Sequence, residues 1–179
     1  MRTNKLQTII SKAKNLLQNS GFSQAPVDVE RIATSLGVVV SRTPADDAIS
    51  GFLFRQPDGS AIIGVNALHH SNRQRFTIAH EIGHFELHKF DQVHVDRSII
   101  KLRSKISSTG EDSEEIEANR FAAELLMPEE FLLKDLEAST VTDLNDEKRM
   151  LQLAKKYQVS VQAMTNRLAS LGYMSTSLG

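Results

Sequence analysis

The most informative segment of this 179-residue chain is Arg75-Phe76-Thr77-Ile78-Ala79-His80-Glu81-Ile82-Gly83-His84. It lies in a longer run, residues 72–88, that contains no proline and keeps its apolar residues at helical spacing. Such a run predicts one α-helix. Ser71 with Gln74 three residues later is typical of a capping box, so we expect Ser71 to be the N-cap of this helix.

Two histidines of this segment are spaced for metal binding. His80 and His84 are four residues apart, which advances an α-helix by about 400° and places both rings on one face. Two imidazoles in that arrangement can bind one Zn²⁺ at about 2.0–2.1 Å. Glu81 can accept a proton from metal-activated water without being a ligand. Gly83 costs a helix about 1 kcal/mol relative to alanine, which predicts a close packing neighbour there.

The same pattern also arises by chance, so the interpretation depends on a third ligand. Residues 114–126 predict a second helix that offers several carboxylates. The stripe of this helix that we expect to be buried contains Glu115, Ala118, Asn119, Ala122 and Leu126. The face that we expect to be solvated contains Glu117, Arg120 and Glu124.

A carboxylate on a buried stripe is costly unless it is paired or bound to a metal, so Glu115 is the predicted third ligand. Glu114 stays an alternative, because the helix phase near an N-terminus shifts easily by a residue or two. Asn119, one turn further, is placed to hydrogen-bond a ligand histidine.

These two segments, residues 75–84 and 115–128, resemble the ImmA/IrrE family of bacterial and phage zinc metallopeptidases. The resemblance also covers residues 26–36, Ser50-Gly51 with the following hairpin, and Val65-Asn66. It implies a zincin-like active site with Zn²⁺ held by His80, His84 and Glu115, and with Glu81 as catalytic base. It also implies a protein substrate, a helix-turn-helix repressor whose cleavage releases stress-response or mobile-element genes.

The remaining elements predict a mixed α+β fold with a small antiparallel sheet, because no regular alternation of strands and helices is present. Pro57-Asp58-Gly59 is a turn signal between two strand candidates, residues 49–54 and 61–65, and therefore predicts a hairpin. Further helices are predicted at 5–19, at 26–36 where Pro26-Val27-Asp28 opens the helix, and after Pro128. A short strand is predicted at 38–40 and a loop at 91–113. We expect a metallopeptidase domain at 1–140 and a helical, helix-turn-helix-like extension at 141–179 that packs on it.

Composition excludes several classes of protein. The chain has no cysteine, which rules out disulfide scaffolds, cysteine-based zinc fingers and a thiol nucleophile. The formal charge of −1 gives no overall attraction for nucleic acid or an anionic membrane, so binding to DNA or a membrane is not expected. No segment is apolar and long enough to span a bilayer, and the expected location is the cytoplasm.

Two other functions stay open at this point. Residues 145–171 predict two helices with a break at 158–160, which favours a DNA-binding regulator as one alternative. The other is a metal-stabilised binding module of the toxin or antitoxin type that does not cleave. We expect His88, one turn beyond His84, to face solvent or to support a ligand. Candidates for stabilising an oxyanion are His69, His70, His94 and Tyr157, and a basic cluster at 97–105 is a candidate for docking an acidic partner.

Overall fold

The computed structural model describes residues 2–89, 93–96, 109–137 and 147–173. Its elements, in chain order, are α1 (Arg2–Asn19), α2 (Val29–Ser35), β1 (Val38–Thr43), β2 (Gly51–Arg55), β3 (Ala61–Asn66), α3 (Ser71–Leu87), β4 (Val93–Asp96), α4 (Thr109–Leu126), α5 (Glu129–Glu137), α6 (Glu147–Tyr157) and α7 (Val161–Ser170). Helices and one small sheet are combined without regular alternation, which confirms the predicted α+β class.

The four strands form one mixed sheet in the order β1-β3-β2-β4. β2 and β3 pair antiparallel across the predicted turn, where Gly59 has a φ of 89° and the Asp58 carboxylate accepts a hydrogen bond from the Ser60 amide at 2.9 Å. β1 pairs with β3 in parallel, and β4 pairs with β2 antiparallel. The hairpin prediction is therefore confirmed.

The prediction of a loop over residues 91–113 was wrong in two places. Val93–Asp96 forms β4, and α4 begins at Thr109, five residues before the expected start. A strand of four residues has too little periodicity to be recognised in isolation, since what identifies it here is its pairing with β2. The basic cluster at 97–105 lies outside the described residues.

The predicted cap of α3 was also wrong. Ser71 is already helical, and His70 is the N-cap, its Nδ1 accepting a hydrogen bond from the Asn72 amide at 3.2 Å. Gln74 does not close a capping box, because its Nε2 donates to the His69 carbonyl at 2.7 Å. An imidazole nitrogen replaces the expected hydroxyl as acceptor for one of the free amides of the first turn.

α3 packs on one face of the sheet and against α4, so it lies at the centre of the fold. Its Ile78 and Ile82 are fully buried, as are Leu53 of β2 and Ile63 of β3. α1 packs against α4. Because the core side of α3 is held from two directions, the histidine face of the helix has a defined position.

The two C-terminal helices are joined to the rest of the described chain by a buried ion pair. Arg167 of α7 donates to both oxygens of Glu124 in α4, at 2.8 and 2.5 Å, and also to the Met127 carbonyl at 2.9 Å. Both charged side chains are almost completely buried.

Within the part of the chain that the structure describes, no helix combines the length and the hydrophobicity that a bilayer requires.

Candidate metal centre

α3 and α4 bring the three predicted ligand residues together. The Nε2 atoms of His80 and His84 are 3.0 Å apart, one turn from each other on α3. Glu115 of α4 faces them, with one carboxylate oxygen 3.5 Å from the Nε2 of His80 and the other 3.5 Å from the Nε2 of His84. Glu114, the alternative ligand, is exposed and is not part of this cluster.

The close approach of these helices depends on Gly83. A Cβ atom at this position would lie 3.1 Å from the Cα of Ala118 and 3.2 Å from its carbonyl oxygen. Ordinary carbon contacts are about 3.5–4.0 Å, so a side chain here would push α4 away from α3. The sequence predicted a close packing neighbour for Gly83. That neighbour is the backbone of α4 at Ala118, one turn after Glu115.

The second ring nitrogen of His80 also has a partner. Its Nδ1 lies 3.1 Å from the Oδ1 of Asn119, the contact that the sequence predicted. An amide oxygen can only accept, so this contact fixes the proton on Nδ1 and leaves the Nε2 lone pair directed at His84 and Glu115. Phe76 lies beside the same imidazole, with the two ring centroids 6.3 Å apart.

His84 is held by a chain of contacts that ends on α1. Its Nδ1 lies 3.2 Å from the Nδ1 of His88, and the Nε2 of His88 lies 3.2 Å from Glu117. Lys5 of α1 donates to the other oxygen of Glu117 at 2.7 Å. One set of tautomers satisfies all of these contacts: the Nδ1–H of His84 donates to the Nδ1 of His88, and the Nε2–H of His88 donates to Glu117. This set leaves the Nε2 lone pair of His84 free for a metal.

The expectation that Glu117 and Glu124 share a solvated face was therefore wrong. Burial raises the pKa of Glu117, but hydrogen bonds from Lys5, His88 and Ser113 outweigh it, and the net pKa is lowered. Glu124 is buried against Arg167. Asn119, which the helical wheel placed on the buried stripe, is exposed. The wheel could not show that Lys5 of α1 and Arg167 of α7 contact the face that it assigned to solvent.

His94 is the residue of this cluster that no sequence motif identified. On β4 it pairs with Leu53, whose side chain is buried below α3, so the alternation of the strand directs His94 to the same side. Its ring stacks on that of His84 with centroids 3.7 Å apart, and its Nε2 lies 3.2 Å from Glu115. The sequence feature that could have identified His94 is the alternation Val93-His94-Val95, which is typical of a strand. Both valines are exposed, so the histidine lies on the opposite side.

Two ionisable groups of the centre are far from water. Burial is the main cause that lowers the pKa of His84 to about 4, against the hydrogen bond with Glu115, which raises it. His84 is therefore neutral at pH 7, as a metal ligand must be. Glu81, which lies between His80 and His84 in sequence, is completely buried.

The donor set fits a divalent metal such as zinc. One atom from each of His80, His84, His94 and Glu115 lies within 4.8 Å of the others. Tetrahedral Zn²⁺ with Zn–N bonds of about 2.0–2.1 Å separates two ligand nitrogens by about 3.3 Å, close to the observed distance between the two Nε2 atoms. Imidazole and carboxylate donors are common zinc ligands.

The other oxyanion candidates lie elsewhere in the fold. The Nε2 of His69 contacts Asp47 at 3.1 Å, and His70 caps α3. The hydroxyl of Tyr157 donates to Asp135 at 2.9 Å, and burial with this contact raises the Tyr157 pKa. Of the four candidates, only His94 belongs to the donor cluster.

Comparisons with known proteins bear on this geometry. The family model of the IrrE N-terminal-like domain, peptidase family M78, matches residues 33–169. A search of curated proteins found no match. Among solved structures, a Mycobacterium tuberculosis transcriptional regulator is similar with a TM-score of 0.58 and 20% sequence identity, over 94% of this chain and 48% of that chain.

The likeness to this regulator shows a shared fold, and the chain spans about half of the regulator's length. The family model covers well over half of the chain, including both motifs that carry the donor cluster. The chain therefore belongs to the ImmA/IrrE family of M78 peptidases.

Proposed function

We propose that this chain is a zinc-dependent endopeptidase that cleaves a specific protein partner. The observation that carries the proposal is the convergence of His80, His84 and Glu115 on one point, with Glu81 buried between the two histidines in sequence. Catalytic zinc sites typically have three protein ligands of this kind and one open position. Membership of a peptidase family supports the same reaction class.

Each residue then has a defined task. His80, His84 and Glu115 would hold a Zn²⁺ ion, which when bound would supply polarisation of the scissile carbonyl and a lowered pKa of water. Glu81 accepts the proton of the attacking water and passes it to the leaving amine. Asn119 orients His80 through its Nδ1, as the 3.1 Å contact supports.

His94 adds a fourth donor atom to those of the three assigned ligands, all within 4.8 Å of one another. A catalytic zinc site typically keeps one position for water or substrate, so we assign His94 to the carbonyl oxygen of the scissile bond and not to the metal. A protonated ring nitrogen there donates to the negative charge that develops on this oxygen. The stacking of His94 on His84 supports its placement beside the reacting bond.

β4 also offers a means of binding an extended substrate. It is an edge strand of the sheet formed by the described residues, and it carries His94. A substrate strand added to its outer edge would form main-chain hydrogen bonds and hold a peptide in register beside the cluster.

The substrate that we propose is a helix-turn-helix transcriptional repressor in the cytoplasm, and its cleavage would release stress-response or mobile-element genes. This follows from what the family resemblance implies. The similar structure from Mycobacterium tuberculosis carries the name of a transcriptional regulator, which supports a regulatory setting.

The test compares the wild-type chain with Glu81→Gln, which removes the base and keeps the volume. Both proteins should contain about one zinc per chain by mass spectrometry, and His80→Ala should contain none. Each protein is then added to a lysate of the source organism, and new protein N-termini are identified by mass spectrometry. We expect cleavage of a repressor with the wild type only. Identical N-termini with Glu81→Gln would contradict the assigned mechanism.

A non-cleaving metal-stabilised module is the second candidate, because His94 gives the cluster a fourth protein donor. Four protein ligands are typical of structural zinc sites. In that case zinc removal would unfold the chain, and no protein would be cleaved. A DNA-binding role for α6 and α7 is less well supported, because Arg167 of α7 is already buried in its ion pair with Glu124.

A further inference from the structure

A groove of about 870 Å³ lies between α3, α4 and α7. The groove begins beside the donor cluster of His80, His84, His94 and Glu115, because Phe76 and Asn119 both line the groove and both contact His80. The groove therefore extends from the proposed scissile bond toward the C-terminal helices. A groove of this size accommodates several side chains of an extended peptide.

The walls of the groove are largely apolar. Met127 and Val159 contribute buried side chains, and Ala123 and Ala163 contribute small, partly buried ones. Ile116 also lines the groove and is 68% exposed. Apolar side chains of a bound peptide would remove the exposed surface of Ile116 and the partly exposed surfaces of Ala123 and Ala163 from water.

The charged residues that line the groove are all basic, with Arg73, Arg120 and Arg167 and no carboxylate among the described lining residues. Arg167 and Arg120 both contact Glu124, at 2.5 and 2.8 Å. Two guanidinium groups share one carboxylate, so this trio carries a net positive charge. The chain as a whole carries a formal charge of −1, which makes the local excess notable for recognition.

Arg120 is the member of this trio that a ligand can reach. Its side chain is 26% exposed, whereas that of Arg167 is 1% exposed. Arg120 also follows Asn119 directly, so it lies close to the end of the groove at the metal cluster. A partly buried guanidinium forms stronger hydrogen bonds to a carboxylate than one in open solvent.

We propose that this groove binds the part of the substrate on one side of the scissile bond, and that Arg120 selects an acidic side chain among apolar ones there. The proposal rests on the endopeptidase function and specifies its substrate class. A peptide suits the groove better than nucleic acid does, because the surface is concave and apolar, whereas phosphate backbones bind to extended arrays of cations.

The experiment measures binding apart from cleavage, with the zinc-loaded Glu81→Gln protein. The probes are three fluorescein-labelled peptide libraries of equal length that share degenerate apolar positions and carry a fixed glutamate, glutamine or lysine. Fluorescence polarisation should show that the glutamate library binds about tenfold more tightly than the glutamine library. Arg120→Gln should remove this preference, and Arg120→Lys should restore part of it.

Arg42→Gln is the matched control, because it removes an arginine that pairs with Glu30 away from the groove and should leave the preference unchanged. Arg120→Gln keeps the pair between Glu124 and Arg167, so the fold is retained, and a circular dichroism melt verifies this. Equal binding of the three libraries, no binding of any, or full competition by duplex DNA would overturn the proposal.

The two proposals can fail separately. Binding of the glutamate library without any cleavage by the wild type would keep the groove as a recognition site and refute the peptidase. Cleavage by the wild type at sites without nearby acidic residues, unaltered in Arg120→Gln, would keep the peptidase and refute the assigned specificity.

Discussion

Replacing Gly83 by alanine tests how closely α3 and α4 must approach for their side chains to share a metal. The added Cβ would lie 3.1 Å from the Cα of Ala118, 3.2 Å from its carbonyl oxygen and 3.2 Å from the Cδ1 of Phe121. Two of these three atoms belong to the backbone, so the contact is relieved only if the helices separate by a few tenths of an ångström.

Two opposing effects determine the stability of this variant. Overpacking of a tight interface costs about 1–3 kcal/mol, and alanine stabilises a helix by about 1 kcal/mol relative to glycine. The expected free energy of unfolding of the metal-free protein is therefore lower by about 0–2 kcal/mol. The effect on metal binding is larger, because Glu115 lies one turn before Ala118 and moves with it, whereas metal–ligand distances vary by only about 0.2 Å.

We expect the zinc affinity of Gly83→Ala to fall by about 10- to 100-fold, the range typical of changes outside the ligand set. Urea unfolding gives the stability, and competition with a chromogenic chelator gives the zinc dissociation constant. Ser11→Ala on the exposed side of α1 is the control, since it improves helix propensity without a new contact. Increased stability of Gly83→Ala with unchanged zinc affinity would refute the close-approach argument.

Three further predictions concern the donor cluster. Glu115→Gln should weaken zinc binding strongly in the chelator assay, whereas Glu114→Gln should not, and the reverse result would exchange their roles. His94→Gln should lower kcat by about 10²–10³ with little change in zinc affinity; a large loss of zinc affinity would instead make His94 a ligand. Burial lowers the folded-state pKa of His84 to about 4, below the usual 6.5 of an unfolded chain, so the unfolded chain takes up a proton first as the pH falls. The metal-free protein should therefore lose stability between about pH 6.5 and pH 4, by roughly 3 kcal/mol in urea unfolding, and His84→Gln should lack this part of the slope.

The residues of the candidate metal centre that could be predicted from the sequence lie on helices, where the spacing along the chain determines which side chains share a face. His80 and His84 lie on one helix, and their relation follows from the rise and turn of an α-helix alone. Glu115 could be chosen from a helical wheel because the buried stripe of α4 is apolar around it. The contact between Asn119 and His80 followed from the same wheel.

The parts that sequence reasoning missed depend on pairs of elements far apart in the chain. His94 reaches the cluster through the register of β4 on β2, and a strand of four residues does not reveal its partner. Glu117 and Glu124 were assigned to solvent because the pattern of α4 does not show Lys5, at a separation of 112 residues, or Arg167, at a separation of 43. Long-range salt bridges leave no periodic trace in either segment.

The pair between Glu124 and Arg167 has a consequence for the order in which the protein matures on the ribosome. Its two residues are 43 positions apart, and synthesis at about 5–20 residues per second therefore separates them by several seconds. During that interval Glu124 has only the partly exposed Arg120 of its own helix as a partner, and the buried guanidinium of Arg167 is still missing. Burying the carboxylate without Arg167 is therefore less favourable than in the folded chain. We expect α4 to reach its final packing against α3 only after Arg167 of α7 has emerged from the ribosome, so the donor cluster would form after the synthesis of α7 and not as soon as α4 is made.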